Sequence, residues 1–199
     1  MNSWTTFRER WRAEGQLSEL ESATVLMVQE HHLVQADLCR DAEDFCSQRG
    51  WHAVFREAIR LPSGRSSGGV AILVRRRDDI GVTDPQLDPG PLRHRLLGFK
   101  LFMGGLEPII IASAYLQAGV GLNELNMQAL SFLAQWQELE QLPILAGGDF
   151  NVQPNEIAKT DFNARSGMVY CRQERPLIKR RRLQRKSTTS WPRAALRSA

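Results

Sequence analysis

The sequence predicts an α/β fold built on mixed β-sheets. Short continuous apolar runs recur along it, each bounded by glycine, proline or polar residues, as buried strands are. Segments with apolar residues at helical spacing separate several of these runs. Gly104-Gly105 falls between two adjacent apolar runs, which joins them as an antiparallel hairpin and excludes a purely parallel sheet.

The elements follow in order. Residues 4–21 carry Trp4, Phe7 and Trp11 three and four apart, an amphipathic helix. ATVLMVQE (23–30) is too short for a helix and ends in a polar pair, so it reads as a buried strand delivering side chains at its C-terminal end. Residues 33–49 form a helix that stops before Gly50. WHAVFREA (51–58) alternates like a strand, LPSGRSSGG (61–69) is a loop, and GVAILVRRR (69–77) is a second buried strand. DPQLDPGP (84–91) is a turn-rich connection between strands. RLLGFKLFM (95–103) and EPIIIASAYL (107–116) are the strands of the hairpin. Leu125, Leu130, Leu133, Trp136 and Leu139 place a helix over 122–140. LPILAGGDFN (142–151) is a last buried strand running into a Gly-Gly turn. No internal repeat is present.

Composition bounds the function. The chain has 199 residues, 26 Lys+Arg against 22 Asp+Glu and a net charge of +4. No apolar run approaches the ~20 residues that span a bilayer, so no membrane role is expected. The three cysteines Cys39, Cys46 and Cys171 are odd in number and lack a CxxC pair, which argues against a disulfide framework or zinc-thiolate site and for a reducing, intracellular setting. The charge is asymmetric: residues 165–199 hold 11 Lys+Arg and only Glu174, leaving residues 1–164 with 15 Lys+Arg against 21 acidic residues. Two units follow, a domain over 1–165 and a basic, weakly ordered tail over 166–199. The tail is either a solvated extension or a phosphate-binding arm or nuclear localisation signal built on Lys179, Arg180, Arg181 and Arg182.

Few residues could carry chemistry. Glu30 ends a buried strand, where a carboxylate either pairs locally or binds a hard cation through oxygen. His31 and His32 are adjacent and lack HExxH spacing, so they read as helix-entry or surface residues. In Gly147-Gly148-Asp149-Phe150-Asn151 the glycines permit a tight turn or a close approach to a ligand. In extended geometry Asp149 and Asn151 share one face while Phe150 points into the core. That pair suits a water nucleophile beside a phosphate oxygen, or simply caps a turn. Tyr115 is either a core residue or a hydroxyl reaching a polar cleft.

Four segments in one order, VLMVQEHHL (25–33), SSGGVAILVR (66–75), IIIASAYLQAG (109–119) and PILAGGDFNVQP (143–154), resemble the endonuclease/exonuclease/phosphatase (deoxyribonuclease I-like) superfamily, with retroelement-type endonucleases closest in look. The resemblance implies a layered α/β sandwich of mixed β-sheets flanked by helices. It implies Mg²⁺ (or Mn²⁺) at Glu30, Asp149 orienting or deprotonating the attacking water, and Asn151 and Tyr115 binding the scissile phosphate. The substrate implied is nucleic acid, DNA before RNA. Two family features have no match. The opening functional asparagine is represented at most by Asn2, and the closing Ser-Asp-His does not follow residue 155, all four histidines lying upstream of it. On that reading the sandwich is truncated, incomplete at its C-terminal side. The alternatives are a Mg²⁺-dependent endonuclease-like phosphodiesterase and a catalytically dead remnant that binds nucleic acid; a phosphatase of the same superfamily is a third that no feature selects.

Overall fold

A computed structural model of the chain describes residues 4–12, 22–84, 88–160 and 162. Their elements are α1 (Trp4–Arg12), β1 (Val25–Gln29), α2 (Ala36–Ser47), β2 (Trp51–Arg56), β3 (Ile59–Arg60), β4 (Ser66–Ser67), β5 (Val70–Arg75), β6 (Ile80–Thr83), a 3-10 turn (Gly90–Leu92), β7 (Leu96–Met103), β8 (Ile109–Tyr115), α3 (Glu124–Glu140), β9 (Ile144–Asp149) and α4 (Pro154–Ile157). The basic tail with Lys179, Arg180, Arg181 and Arg182, the second half of the expected first helix and Asn2 lie outside the described residues.

Two sheets carry the fold. The first runs β1-β5-β2 and is antiparallel throughout. The second runs β6-β7-β8-β9; β6, β7 and β8 are antiparallel, and β9 joins β8 in parallel. The parallel pair needs a crossover, which α3 supplies, and the antiparallel pair needs only the Gly104-Gly105 turn. The expected mixed sheet is present, and β6 adds a strand in a stretch that the sequence reading leaves unassigned.

Strand alternation sorts the apolar side chains into three cores. Val70, Ile72 and Val74 of β5 meet Leu97, Phe99 and Leu101 of β7 and Ile111 of β8 between the sheets. Ala71 and Leu73 face the other way, onto Trp4 and Phe7 of α1 and Phe45 and Cys46 of α2. On the outer face of the second sheet, Ile110, Ala112 and Ala114 pack under Leu130, Leu133 and Trp136 of α3 and Ile157 of α4. The result is a helix–sheet–sheet–helix sandwich. Because β5 is covered on both faces, its sequence is continuously apolar and does not alternate. Cys39 and Cys46 are buried free thiols, pushed up to about 12 chiefly by that burial, and so act as small hydrophobes. The far end of α3 is tied to β7 by a mostly buried ion pair, Lys100 Nζ to Glu140 Oε2 at 2.6 Å.

One expectation changes at β9. Gly147-Gly148 is not a turn; both glycines lie within the strand. Packing explains them. A Cβ on Gly147 would fall 2.5 Å from the Met27 sulfur of the opposing sheet, and one on Gly148 would collide with the Ala114 carbonyl. Glycine lets β9 close against β1 and β8 together.

Candidate active site

The site is assembled at one end of the inter-sheet core, where β1, β8 and β9 finish and β7 begins. Its first fastener is polar. Gln29 Nε2 donates to Ser113 Oγ at 2.9 Å, and that hydroxyl donates to the Val28 carbonyl at 3.3 Å. Ser113 is fully buried, so the pair is a satisfied polar tie between the ends of β1 and β8. Tyr115 lies two residues beyond Ser113 on the same face, and Glu30 follows Gln29. The tie therefore brings them together, and the Tyr115 hydroxyl donates to the Glu30 carboxylate. Asp149 is the cross-strand partner of Tyr115, and its carbonyl accepts from Leu116 N at 2.9 Å. Asn151 Nδ2 donates to the Leu116 carbonyl at 2.9 Å. All four residues singled out from the sequence thus converge on one rim.

The route to Asn151 differs from the one expected. Extended geometry stops at Asp149, and Asn151 turns back with φ 48°. Phe150 does pack inward, against the core under α3. Glu30 and His32 are also left-handed, at φ 54° and 62°. Only one other described non-glycine residue, Gln141, has a positive φ. Each such residue costs on the order of 1 kcal/mol, and strain gathered at one rim marks a place where side-chain direction is imposed on the backbone.

His31 corrects another expectation, since it is neither a surface residue nor a helix entry but only 2% exposed. Leu33 N donates to its Nδ1 at 3.1 Å, which puts the ring proton on Nε2, facing the Val70 carbonyl at 3.4 Å. Burial lowers its pKa to about 4, so it is neutral. The ring fits only because position 69 is glycine, where a Cβ would fall 2.6 Å from it. His31 is a wedge that fixes the loop carrying Glu30.

Sequence reasoning missed Arg95, which is 3% exposed at the foot of β7. Its Nε donates to His94 Nε2 at 3.0 Å, Nη2 reaches Gln117 Oε1 at 3.5 Å, and Nη1 is buried without a partner. The guanidinium lies 5.3 Å from the centre of the Tyr115 ring. Burial lowers its pKa, while Tyr115 and Glu30 raise it. Tyr115 is pushed up to about 12 by burial first and by Glu30 second, against the opposing pull of Arg95. It therefore holds its proton at neutral pH and acts as a donor. The available signal for Arg95 was weak: a basic residue where a buried strand opens.

The donor set fits a hard divalent cation. Glu30 and Asp149 offer carboxylate oxygens. Of the nearby imidazoles His31 is engaged as above and His94 through Arg95 and the Pro91 carbonyl, while His32 Nδ1 is buried without a partner. Among the described residues no group of three His, Cys, Asp or Glu side chains could hold an ion by itself. One or two carboxylates, with waters and a substrate phosphate completing the shell, is the binding mode of Mg²⁺ and unsuited to zinc.

Comparison with known proteins agrees with this fold. The model of the Endonuclease/Exonuclease/phosphatase family matches residues 11–198. The human Nocturnin catalytic domain with bound sulfate aligns at 18% identity and TM-score 0.53, over 74% of this chain and 58% of that one. A humanized D. rerio TDP2 aligns at 14% identity and TM-score 0.52, over 78% of this chain and 64% of that one. ANGEL2, a 2′,3′-cyclic phosphatase in complex with adenosine-2′,3′-vanadate, aligns at 16% identity and TM-score 0.51, over 85% and 53%. At these identities the likeness is one of fold. The chain spans between 53% and 64% of the length of these structures. None of the curated proteins matches the sequence.

Proposed function

The chain belongs to the endonuclease/exonuclease/phosphatase family, and from that premise we propose that it is a divalent-metal-dependent phosphodiesterase acting on nucleic acid. The observation that supports it best is the Tyr115–Glu30 hydrogen bond with Asp149 in register beside it, which gathers two carboxylates and a donor hydroxyl where β1, β8 and β9 end. The Asp149 carboxylate takes a proton from a water as its oxygen bonds to phosphorus; the bond to the sugar oxygen breaks, and that oxygen is protonated from solvent. The second amide hydrogen of Asn151 donates to a phosphoryl oxygen, and as substrate binds the Tyr115 hydroxyl turns its one proton from Glu30 to another, where charge accumulates. Arg95 supplies positive potential beneath them. Glu30, with Asp149 nearby, would hold the divalent ion, Mg²⁺ or Mn²⁺, which would neutralise phosphoryl charge and stabilise the leaving oxygen.

DNA is the polynucleotide that the sequence resemblance favours, and the look of the four motifs is what suggests a retroelement-type lineage. The buried free thiols fit an intracellular setting, and the Lys179–Arg182 run fits nuclear import. One observation favours a second reading, a nucleic-acid-binding protein without turnover: His31 and His94 have both ring nitrogens engaged, which leaves only His32 Nδ1 unpartnered among the histidines near the site. Plasmid nicking decides between them. With Mg²⁺ the full chain nicks, and EDTA or Asp149→Ala stops it. No nicking at micromolar protein rejects the phosphodiesterase and leaves the binding protein.

A further inference from the structure

Residues 57–69 leave the first sheet at the end where Glu30 stands. They form the small β3–β4 hairpin, with Ile59 opposite Ser67 and Arg60 opposite Ser66. Both feet of the hairpin are bonded to the site. Ala58 N donates to the Leu33 carbonyl at 2.6 Å, on the loop after Glu30. On the other foot the Gly69 carbonyl accepts from His31 N at 3.3 Å, and Gly69 N donates to the His94 carbonyl at 2.8 Å, next to Arg95. Gly68 and Gly69 have φ 74° and 86°, and a Cβ on Gly68 would fall 2.7 Å from the His94 carbonyl. The hairpin is thus rooted directly between the two loops that carry Glu30 and Arg95.

Its surface is unlike the rest of the domain. Residues 1–164 are net acidic, yet Arg56, Arg60 and Arg65 are exposed along this stem, and Arg93 is exposed across from it. Among the described residues none of the four forms an ion pair, whereas Arg77 is paired with Asp79. Ile59 and Leu61 are exposed beside them, 40% and 37%. Between the stem and the 3-10 turn lies an open groove of about 490 Å³, walled by Ile59, Pro91, Arg93 and His94 with Glu57 at one side. That volume accommodates one nucleoside, with Ile59 and Pro91 as apolar walls for a base and Arg93 for its phosphate, Arg60 and Arg65 following along the hairpin outside the groove.

We propose that the β3–β4 hairpin and this groove are the track for the nucleic-acid strand leading away from the scissile phosphate, so that the substrate is a polynucleotide and not a small phosphorylated molecule. This rests on the phosphodiesterase reading for the position of the scissile phosphate. Arg60, Arg65 and Arg93 neutralise flanking phosphates, and the groove takes the adjoining nucleoside.

The test is binding by the full chain in EDTA, followed as anisotropy of a labelled single-stranded 12-mer, in DNA and RNA versions, across a salt series. Arg60→Glu with Arg65→Glu lowers affinity at least tenfold at 0.1 M salt and makes the slope of log K against log salt shallower by about 1.4, the value for two lost contacts to a single strand. Arg60→Lys with Arg65→Lys retains the slope. The charge-matched pair Arg76→Glu and Arg77→Glu, at the opposite end of β5, leaves affinity and slope unchanged. Loss on DNA, on RNA or on both upholds the track and names its strand. Wild-type binding by the Arg60/Arg65 variant, or an equal loss from the Arg76/Arg77 variant, overturns it. Because no turnover is measured, a protein that fails to nick yet loses binding this way keeps the track and loses the phosphodiesterase reading.

Discussion

The two ends of the inter-sheet core carry similar charged residues and treat them in opposite ways. At the β5 exit, Arg77 pairs with Asp79 at 3.0 Å with both side chains more than half exposed, and Arg75 lies over the Trp51 ring at 4.2 Å. The left-handed residues at that end are Gly50, Gly105 and the helix C-cap Gln141, none of them part of the Arg77–Asp79 pair. At the other end Arg95 is buried with an unpaired nitrogen, Glu30 and Tyr115 share a hydrogen bond, and Glu30, His32 and Asn151 are left-handed. One end is arranged so that water satisfies its charges. The other buries Arg95 with one nitrogen unpaired, beside a half-buried Glu30 and an exposed Asp149, so a cation held without its full solvation faces carboxylates open to a ligand.

The largest expected effect breaks the site end alone. Glu30→Gln or Asp149→Asn lowers plasmid nicking by about 10²–10⁴, the usual worth of a group that binds or moves the reacting charge or proton. Arg77→Gln in the same assay has no effect. A pH titration of stability comes next. His31 is neutral when folded, with its pKa depressed from 6.5 to about 4, so the unfolded chain binds more protons between those values. Its contribution is complete above pH 6.5 and is lost as pH falls towards 4, about 3 kcal/mol in all. Urea melts across pH 4–7 read this slope, and His31→Gln makes it shallower.

Arg95→Met separates stability from function. Removing a buried, incompletely satisfied charge in favour of an apolar side chain of similar length raises stability by about 1 kcal/mol or leaves it unchanged. The same substitution weakens nicking, because the positive potential under Tyr115 is gone. Urea melts and nicking on one preparation check both halves; a large destabilisation would show that Arg95 holds the fold together. The smallest effect belongs to the solvated end, where Arg77→Gln shifts stability by less than about 0.5 kcal/mol in the same melts.

The candidate site was legible where chemistry and strand ends coincide. Glu30, Asp149 and Asn151 are polar residues placed just where apolar runs stop, and a strand that stops at a rim has to present them there. Tyr115 was legible as a strand terminus but not as a donor to Glu30, because its partner is far away in sequence. His31 was misread since its neighbours are polar; its burial comes from Gly69, in the distant loop that leads into β5. Arg95 was unreadable for the same reason. Gly147 and Gly148 looked like a turn because glycine signals freedom locally, while their use is to admit Met27 and the Ala114 carbonyl from other strands.

Sequence alone determined the period of each element, the continuous apolar character of β5 and the polar residues at strand ends, since these depend on a residue and its near neighbours. Tertiary structure decided which strand ends share a rim, which charges are buried and which glycines are contact surfaces. Those properties belong to pairs of residues brought together by folding, and no local pattern encodes the second member of the pair.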